Sequence, residues 1–419
     1  MIRDIVLVQK RELEELLKEK YIERDASSSV FEKDKMIRVI TGPRRAGKSF
    51  FGVHLLRKTG PFGYVNFDDE RLSTVRDYDE IITAVDSVYD KPKTLLLDEV
   101  QNLDKWELFV NRLQRQGYRL IVTWSNANLL SSELATHLTG RYLPILLFPF
   151  SFREYLRAID GEFTEVEIKE ALRTYSEEGG FPEPLLHKIN RREYLANLVR
   201  AVLYKDIVKR FRIRAVQGLE DLSYYLFSNI AREFSYRTLT KVTRCRSPHT
   251  AEKYLRYLEE AFLFFLVKRF SFKAKEQTSS NKKVYCTDNG FVAASGFRLS
   301  PDRGRLYENL VAIELRKLTA GGGSEVFYWK SSRQEEVDFV IKVGMKVIKL
   351  IQVSFDISVP EAKNREVRAL IKASEALGCD DLFVLTDNVE KEETLEWFGV
   401  RRLIRFRPLW KWLREEKNK

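Results

Sequence analysis

The chain has 419 residues, 44% hydrophobic and 32% charged, so it is long enough for two or three domains and too apolar to be disordered. Its 72 Lys and Arg residues exceed its 61 Asp and Glu residues, and the net charge of +11 either favours an anionic partner such as nucleic acid or reflects solvated surface cations. The three cysteines, Cys245, Cys286 and Cys379, lie far apart without metal-ligand spacing, which argues against a disulfide scaffold or a zinc site and fits a reducing cytoplasm.

The N-terminal segment is charged and carries one amphipathic pattern. Charged residues come too early for a signal peptide, and no apolar run approaches the ~20 residues of a membrane span. Leu13, Leu16, Leu17 and Tyr21 form one stripe of a helix predicted over residues 10–23. This helix either packs on the edge of the domain that follows or is a plain surface helix. We expect a cytoplasmic protein without membrane contact.

Residues 39–51, VITGPRRAGKSFF, predict a strand, a glycine-rich loop and a helix. Backbone N–H groups of such a loop close around phosphate oxygens, and the helix directs its positive dipole end at them. Lys48 is expected to reach the β- and γ-phosphates, and the Ser49 hydroxyl to ligate Mg²⁺. The segment therefore predicts a nucleoside triphosphate site. Its expected binding residues are Gly42, Pro43, Arg44, Arg45, Ala46, Gly47, Lys48, Ser49 and Phe50.

Two apolar strands that end in acidic residues follow the loop, at residues 64–72 and 94–101. Parallel strands deliver their C-terminal residues to the edge of the sheet at which ligands bind. We expect Asp98 to hold Mg²⁺ and Glu99 to polarise the attacking water as a general base. The acidic run 68–70 competes for the metal, although solvation of a strand end explains it better.

Two further polar positions are candidates for the catalytic site. In the stretch 120–130, a buried strand ends in Ser125 and Asn126, and Asn126 can hydrogen-bond the γ-phosphate or the attacking water; alternatively, Asn126 and Asn128 only shape a turn. Arg141 follows Gly140 and precedes an apolar strand. It is either an arginine finger for a neighbouring subunit's nucleotide or a structural partner of the acidic residues after the 64–72 strand.

Several motifs resemble one group of prokaryotic AAA-type ATP-binding proteins, common in archaea, that carry a C-terminal domain of unknown function. The matching motifs are GPRRAGKS, YVNFDDERL, LLLDEVQ, SNANLLSSELATHLTGRY and FPFSFREYL, and the resemblance covers nearly the whole chain. It implies a RecA-like AAA-type ATPase domain that uses ATP and Mg²⁺, with Asn126 in the sensor role. The chain departs from the group at Trp124, where relatives usually have glycine. The resemblance implies no specific cellular activity.

Residues 166–215 are predicted to be helical, with an interruption at EEGGFPEP, residues 177–184. The relatives share a similar GGFPE element, which we expect to help form a lid near the nucleotide. Residues 188–214 hold nine basic and two acidic residues on an amphipathic helix. This basic helix is either a solvated face or a phosphate-contacting one.

Residues 219–287 predict a winged helix. Helices are expected over 219–231 and 235–242, and a third begins with Ser247 as N-cap, before a two-stranded wing. The expected DNA-binding residues are Arg237, Lys241, Arg244, Arg246, Lys253, Lys273 and Lys275. Other cations expected to be exposed are Arg256, Lys268, Arg269, Lys282 and Lys283. Winged helices also serve as protein-binding modules, so the alternative is a protein partner.

The last segment has the outline of a PD-(D/E)xK nuclease core. Glu308 on a helix and Asp338 on a strand are the expected metal ligands. The next strand reads Gln352-Val353-Ser354, so the second metal carboxylate and the catalytic lysine are both missing. We expect a nuclease-like fold without nuclease activity, unless Lys330 or Lys349 supplies the missing ammonium.

Together these patterns predict a multidomain α/β protein. The expected parts are an AAA-type ATP-binding domain (1–148), a helical lid or linker (149–215), a winged helix (216–287) and a degenerate PD-(D/E)xK-like domain (288–419). The expected function is a Mg²⁺-dependent ATPase that binds or remodels duplex or branched DNA without sequence specificity, with a homo-oligomer as a possible assembly. The alternative is a nucleotide-controlled assembly switch that binds a protein partner through its C-terminal domains.

Overall fold

The computed structural model describes residues 2–26, 36–125, 138, 140–296, 302–320, 322–397 and 399–415. The chain forms two compact units, Met1–Phe150 and Ser151–Lys419. The three cysteines are free thiols, all buried. No helix within the described ranges combines the length and the apolar character needed to cross a bilayer.

The first unit is built on a five-stranded sheet in the order β2-β3-β4-β1-β5, with every neighbouring pair parallel. Its strands are β1 (Ile37–Thr41), β2 (Gly63–Asn66), β3 (Thr94–Asp98), β4 (Arg119–Trp124) and β5 (Tyr142–Leu146). Its helices are α1 (Ile2–Leu16), α2 (Lys48–Arg57), α3 (Asp79–Tyr89) and α4 (Trp106–Arg115), with short 3₁₀ turns at Glu70–Leu72 and Val100–Asn102. Because all strands run in one direction, β1, β3 and β4 deliver their carboxyl ends to the same edge.

Helix α1 packs on the edge of this sheet and starts earlier than the sequence pattern predicted. It covers Ile2–Leu16 rather than residues 10–23. The buried Gln9 amide group donates to the Asn66 carbonyl oxygen at 2.9 Å and accepts from the Asn66 N–H at 3.0 Å. Gln9 thereby satisfies backbone groups of the edge strand β2, which would otherwise be open to pairing with another chain.

The second unit contains a nine-stranded mixed sheet in the order β13-β14-β12-β11-β10-β9-β7-β8-β6. Its strands are β6 (Arg232–Phe234), β7 (Phe264–Arg269), β8 (Lys282–Cys286), β9 (Ser324–Lys330), β10 (Glu336–Val343), β11 (Lys346–Val353), β12 (Leu382–Thr386), β13 (Lys391–Trp397) and β14 (Val400–Pro408). Its first helices are α5 (Phe152–Ile159), α6 (Glu165–Glu178), α7 (Pro182–Leu186) and α8 (Arg191–Ala201), which continues as a π-helix over Val202–Lys209. The others are α9 (Val216–Ser228), α10 (Tyr236–Val242), α11 (Pro248–Glu260), α12 (Ala274–Ser279), α13 (Asn289–Ser295), α14 (Arg303–Thr319), α15 (Pro360–Leu377) and α16 (Leu409–Arg414).

The two strands that were expected to form a wing belong to this large sheet. β7 and β8 pair antiparallel, as the sequence suggested, but β7 also pairs in parallel with β9 through Lys268–Phe327 and Arg269–Tyr328. Ser247 caps α11 as expected, because its hydroxyl accepts from the Thr250 N–H. The boundary between a winged helix and a nuclease-like domain at residues 287/288 stays a prediction. The strands β7 and β9, which lie on its two sides, pair within one sheet.

Lys283 is a correction to the expected exposed wing. Its side chain is only 2% exposed, although Lys282 beside it is partly exposed. Side chains alternate between the two faces of a strand, so consecutive lysines on β8 cannot both face solvent. The buried lysine is tolerated because carboxylates of α14 and β10 surround its ammonium group.

Residues 177–184 form a tight joint inside the second unit. Helix α6 ends at Glu178, and the buried Asp288 carboxylate accepts 2.8 Å hydrogen bonds from the N–H groups of Gly180 and Gly290. Gly179 adopts φ 77° and ψ −172°, a conformation open almost only to glycine. A Cβ atom there would lie 1.8 Å from Asp288 Oδ1. The joint therefore requires glycine for both backbone and steric reasons.

We predict that Gly179→Ala destabilises the second unit more than Gly378→Ala. Gly378 also has a positive φ, 62°, but a Cβ atom added there would meet no other atom within 4 Å. In Gly378→Ala, the free energy of unfolding should fall only by the cost of holding alanine in the left-handed conformation. In Gly179→Ala, it should fall by at least ~2 kcal/mol more, because the added Cβ atom also clashes with Asp288. Urea unfolding of both variants measures the difference, and equal losses would contradict the steric role of Asp288.

Candidate functional site

The glycine-rich loop lies between β1 and α2, at the carboxyl edge of the parallel sheet. Gly42 has φ 155°, and a Cβ atom on it would lie 1.9 Å from the Leu147 carbonyl oxygen, so a larger residue cannot replace it without moving the chain. Helix α2 begins at Lys48, directly after the loop. The N–H groups of its first turn have no acceptor within the helix and are available to an anion.

The Lys48 ammonium is held inside the loop. The side chain is 3% exposed, and Nζ donates to the carbonyl oxygens of Gly42 at 3.2 Å and Pro43 at 3.0 Å. Nζ also lies 4.0 Å from Glu99 Oε1. The positive charge is thus positioned between the loop and the acidic end of β3.

Asp98 is a buried carboxylate that accepts hydrogen bonds from three hydroxyl groups. Ser49 Oγ donates to Oδ1 at 2.9 Å, Tyr64 donates to Oδ2 at 3.1 Å, and Thr123 Oγ1 donates to Oδ1. Burial raises the pKa of Asp98 above its ordinary value, and the nearby Glu99 charge adds to that shift. The hydrogen bonds from Thr123, Ser49 and Tyr64 oppose it.

Ser49 and Asp98 fit a magnesium ion. A hydroxyl oxygen and a carboxylate oxygen are hard ligands of the kind that Mg²⁺ takes in nucleotide sites. The two side chains meet at 2.9 Å, so both can turn to one cation. The charge of a bound divalent cation would also favour the ionised form of Asp98 and cancel the cost of its burial.

The Glu99 carboxylate is oriented by hydrogen bonds with two side chains and lies near the Lys48 charge. Ser125 Oγ lies 2.7 and 2.9 Å from its two carboxylate oxygens, and Gln101 donates to Oε2. The residue has φ 50°, an uncommon conformation that is found at functional sites. Burial would raise the pKa of Glu99, but the Lys48 charge and the hydrogen bonds from Ser125 and Gln101 outweigh it, so the pKa lies below its ordinary value. Glu99 is therefore an ionised acceptor at neutral pH.

Thr123 connects the two acids and was not found by the sequence analysis. Its hydroxyl donates to Asp98 and accepts from the Glu99 N–H at 2.8 Å. Trp124 points to the opposite face of β4 and packs edge-to-face on Trp106, with ring centroids 4.6 Å apart. The bulky indole therefore lies in the core behind the site.

Asn126 lies outside the described residues. Arg141 is described and exposed, at the amino end of β5, where its carbonyl oxygen accepts from the Ile37 N–H at 3.0 Å. β1 runs five residues from Ile37 to the phosphate loop, about 13 Å at ~3.3 Å per residue. Arg141 therefore lies at the opposite edge of the sheet from its own phosphate loop.

The expected alternative partners of Arg141 are also engaged elsewhere. Asp69 pairs with Arg71 at 2.7 Å, and Asp68 accepts from the Asn102 amide at 3.3 Å. Both acids lie beyond the carboxyl end of β2, far from the amino edge of the sheet where Arg141 lies. A structural pair between Arg141 and this acidic run is not observed.

Two features beside the loop were also missed. Arg24 is buried and donates to the carbonyl oxygens of Ala46, at 2.9 Å, and Phe148, which stabilises the loop from behind. Phe50 lies edge-on to His54, with ring centroids 4.5 Å apart, and Tyr21 stacks on His54 at 3.9 Å. Tyr21 was recognised only as part of an apolar helix stripe, and no local motif distinguishes Arg24 from a surface arginine.

In the second unit, the seven basic residues expected at a DNA interface are all exposed: Arg237, Lys241, Arg244, Arg246, Lys253, Lys273 and Lys275. Arg244 forms an ion pair with Asp221 at 3.1 Å, and Lys273 with Glu276 at 3.1 Å. Arg237 and Lys241 belong to α10 and Lys253 to α11, whereas Arg244 and Arg246 lie in the connection between these helices and Lys273 and Lys275 in the segment that joins β7 to β8. They lie on consecutive elements of one helical subdomain.

The structure also brings Glu308 and Asp338 together, as the nuclease-like outline predicted. Lys283 Nζ lies between them, 2.9 Å from each carboxylate. Of the two lysines that the sequence suggested, Lys330 reaches the rim of this group, 3.7 Å from Glu336 Oε2. Lys349 pairs with Asp381 at 3.5 Å instead. Gln352 accepts from the Asp338 N–H at 3.2 Å and donates to Glu366, an acid that the sequence analysis missed.

Comparison with known proteins assigns the first unit. Residues 34–156 match the AAA domain, residues 169–301 a domain of unknown function (DUF8612), and residues 303–401 another domain of unknown function (DUF4143). An uncharacterised protein of Methanocaldococcus jannaschii is 33% identical over 96% of this chain and 92% of its own length. The chain belongs to this family of AAA-domain proteins.

The family extends beyond the archaea. An uncharacterised protein of Haemophilus influenzae is 30% identical over 78% of the chain and 84% of its own length. Among solved structures, a Walker-type ATPase of Pyrococcus abyssi aligns with a TM-score of 0.40 and 14% identity, over 68% of this chain and 93% of that one. The expected AAA domain and domains of unknown function are confirmed, and the first unit is a nucleotide-binding domain.

We predict that Lys48→Ala weakens ATP binding by roughly 10- to 100-fold, because a charge-assisted contact to phosphate is lost. Lys58→Ala is the matched control, since Lys58 ends the same helix, is 63% exposed and pairs only weakly with Glu23 at 3.1 Å. Isothermal titration with a non-hydrolysable ATP analogue measures both. Equal affinities in the two variants would show that Lys48 does not contact phosphate.

Proposed function

We propose that the chain is a Mg²⁺-dependent ATPase whose nucleotide cycle controls binding or remodelling of DNA. The observation that supports ATP hydrolysis is the arrangement of side chains at the carboxyl edge of the parallel sheet. Ser49 donates to Asp98, and the Lys48 ammonium lies 4.0 Å from Glu99, which Ser125 orients. Membership of the AAA-domain family supports the same activity.

The chain's own residues have separate roles in this proposal. Mg²⁺ held by Ser49 and Asp98 would shield the charge of the β- and γ-phosphates. The Lys48 ammonium stabilises negative charge on the transferred phosphoryl group. Glu99, ionised and held by Ser125 and Gln101, accepts a proton from the attacking water. Thr123 fixes the positions of Asp98 and Glu99 relative to each other. We assign the sensor role to Asn126.

A second copy of the chain completes the site in this proposal. Arg141 lies at the sheet edge opposite to its own phosphate loop, so it cannot serve the nucleotide of its own chain. An exposed guanidinium at that edge suits an arginine finger acting in trans. We therefore propose that hydrolysis requires a homo-oligomer.

DNA is the proposed partner of the second unit. The order α9, β6, α10, α11, β7 and β8 is that of a winged helix, in which the helix at the position of α11 enters the major groove. The seven exposed cations of this region supply phosphate contacts, which dominate binding without sequence specificity. We assign residues 149–215 to a helical linker, 216–287 to the winged helix and 288–419 to a nuclease-like domain without nuclease activity.

One observation favours the alternative of a protein partner. Phe272 is 76% exposed in the segment that joins β7 to β8. An exposed aromatic ring beside cations is a feature of protein-binding surfaces as well as of nucleic-acid interfaces. In this alternative, nucleotide controls assembly and the second unit holds a protein.

We predict that Glu99→Gln binds ATP with unchanged affinity and hydrolyses it at least ~100-fold more slowly, because a neutral amide cannot accept the proton. Glu70→Gln is the control, since Glu70 is an exposed acid beyond the end of β2. Phosphate release under saturating ATP measures the rate. If Glu99→Gln retains the wild-type rate, the general base lies elsewhere.

We predict that duplex or four-way-junction DNA stimulates ATP hydrolysis and that salt reduces the stimulation. The double variant Arg237→Glu/Lys241→Glu on α10 should lose the stimulation and keep the rate without DNA. Arg333→Glu/Lys346→Glu is the matched control, with the same charge change at exposed positions before β10 and at the start of β11. A rate that no DNA changes, together with a nucleotide-dependent change in mass, would favour the protein-binding switch instead.

A further inference from the structure

A buried lysine occupies the centre of an acid cluster in the second unit. Lys283 on β8 is 2% exposed, and its Nζ lies 2.9 Å from Glu308 Oε1, 2.9 Å from Asp338 Oδ1 and 2.5 Å from Glu336 Oε1. The three acids come from α14 and β10. One ammonium group therefore contacts all three carboxylates, although none of them is its neighbour in the sequence.

Other groups hold these carboxylates toward the ammonium. The buried Tyr285 hydroxyl donates to Glu308 Oε1 at 2.7 Å, and the Val353 N–H donates to Asp338 Oδ2 at 3.0 Å. The Lys283 stem passes the Tyr328 ring, with Nζ 5.8 Å from the ring centroid. The position of the ammonium is thus set by packing and by hydrogen bonds that orient its partners.

Two ammonium groups face four carboxylates in this cluster, those of Glu308, Glu336, Asp338 and Glu233. Lys330 adds a second ammonium at the rim, 3.7 Å from Glu336 Oε2 and 2.5 Å from Glu233 Oε1. Burial raises the pKa of Glu308 to about 8, and the Asp338 charge adds to the shift. The protein's own ammonium groups, Lys283 at the centre and Lys330 at the rim, therefore supply the positive charge beside these acids.

A divalent cation does not fit this arrangement. Such an ion takes about six oxygen ligands at roughly 2.0–2.6 Å, and the point toward which these carboxylates converge is filled by Nζ. A second cation beside a buried ammonium would also be repelled strongly, because charges interact strongly in a desolvated environment. Within the described part of the chain, no group of acids, histidines or cysteines has the arrangement of a metal site.

We propose that the Lys283 ammonium is a built-in substitute for the divalent cation that a nuclease-like site would hold between Glu308 and Asp338. The second unit then binds no metal and cleaves no phosphodiester. Any Mg²⁺ that the chain requires is bound at Ser49 and Asp98. Removing the ammonium while leaving space for an ion should turn the cluster into a divalent-cation site.

Two substitutions at Lys283 separate loss of charge from gain of space. Lys283→Ala removes the ammonium and opens the space among the carboxylates. Lys283→Met removes the same charge but fills that space with an apolar chain of similar length. Both leave the acids without their cation, so only Lys283→Ala should bind a metal. In the double variant Lys283→Ala/Glu308→Gln, one of the required carboxylates is gone.

The experiment is a Mn²⁺ titration of the full-length protein without nucleotide, followed by electron paramagnetic resonance of free Mn²⁺. Ions bound in the first unit contribute equally to every variant. We expect Lys283→Ala to bind one more Mn²⁺ per chain than the wild type, Lys283→Met to bind none in addition, and Lys283→Ala/Glu308→Gln to lose the added ion. Thermal unfolding should show the same order, with Mn²⁺ raising the Tm of Lys283→Ala alone.

Two results would overturn the proposal. One is equal Mn²⁺ binding by the wild type and Lys283→Ala. The other is a wild-type Mn²⁺ that disappears in the single variant Glu308→Gln, since that ion would lie in the cluster beside Lys283. The second comparison needs no change at Lys283, so it decides the question even if Lys283→Ala does not fold; unchanged Mn²⁺ binding in Glu308→Gln supports the proposal.

Discussion

Burial of the Asp98 carboxylate is the constraint on which the first unit depends. A carboxylate taken out of water must be satisfied by donors or by a cation, because its desolvation is otherwise too costly. Here hydroxyl groups from β2, β4 and α2 meet at this one side chain. The same contacts join three elements of the nucleotide domain and hold two magnesium-type ligands face to face. In the proposed ATPase, the atoms that satisfy the buried carboxylate are therefore also the ones that would hold magnesium.

The acid cluster of the second unit solves a similar problem in a different way. Glu308, Glu336 and Asp338 also converge in a desolvated place, but the compensating charge is covalently attached to β8. A tethered ammonium cannot exchange with solvent ions, whereas the hydroxyls around Asp98 can make way for one. Two sites with converging acids in one chain thus differ in whether the cation is part of the protein. That difference separates a site suited to phosphate chemistry from one suited to stability.

Glycine and hydrogen-bonded polar groups also decide where helices can meet. At the joint of α6 and α13, Asp288 accepts hydrogen bonds from two backbone N–H groups, and Gly179 has no Cβ atom that would clash with its carboxylate. At the phosphate loop, Gly42 allows the Leu147 carbonyl to approach closely. In both places the backbone is close enough that any side chain would displace its neighbour. Both glycines are therefore required by the close approach of neighbouring backbone or side-chain atoms.

Local motifs predicted those features whose parts are adjacent in the chain. The strand, glycine-rich loop and helix of residues 39–51, the acidic pair Asp98 and Glu99, and the Ser247 cap each depend on covalent spacing and on intrinsic backbone preferences. The hairpin of β7 and β8 was also predicted, because two apolar runs with a short polar connection favour antiparallel pairing. Helix α1 was placed too late, because the polar Gln9 interrupts the buried stripe that Ile5, Val6 and Leu13 form on its first turns.

Only the tertiary structure decided which distant residues meet. Thr123, Tyr64 and Arg24 join the nucleotide site because of the strand order β2-β3-β4-β1-β5 and the path of the chain before β1, which no local pattern encodes. The pairing of β7 with β9 likewise turned an expected free wing into part of a nine-stranded sheet. Lys283 is the clearest case. By itself the sequence determined a pair of lysines at the start of β8, but strand alternation and the carboxylates of α14 and β10 decided that one faces solvent and the other is buried.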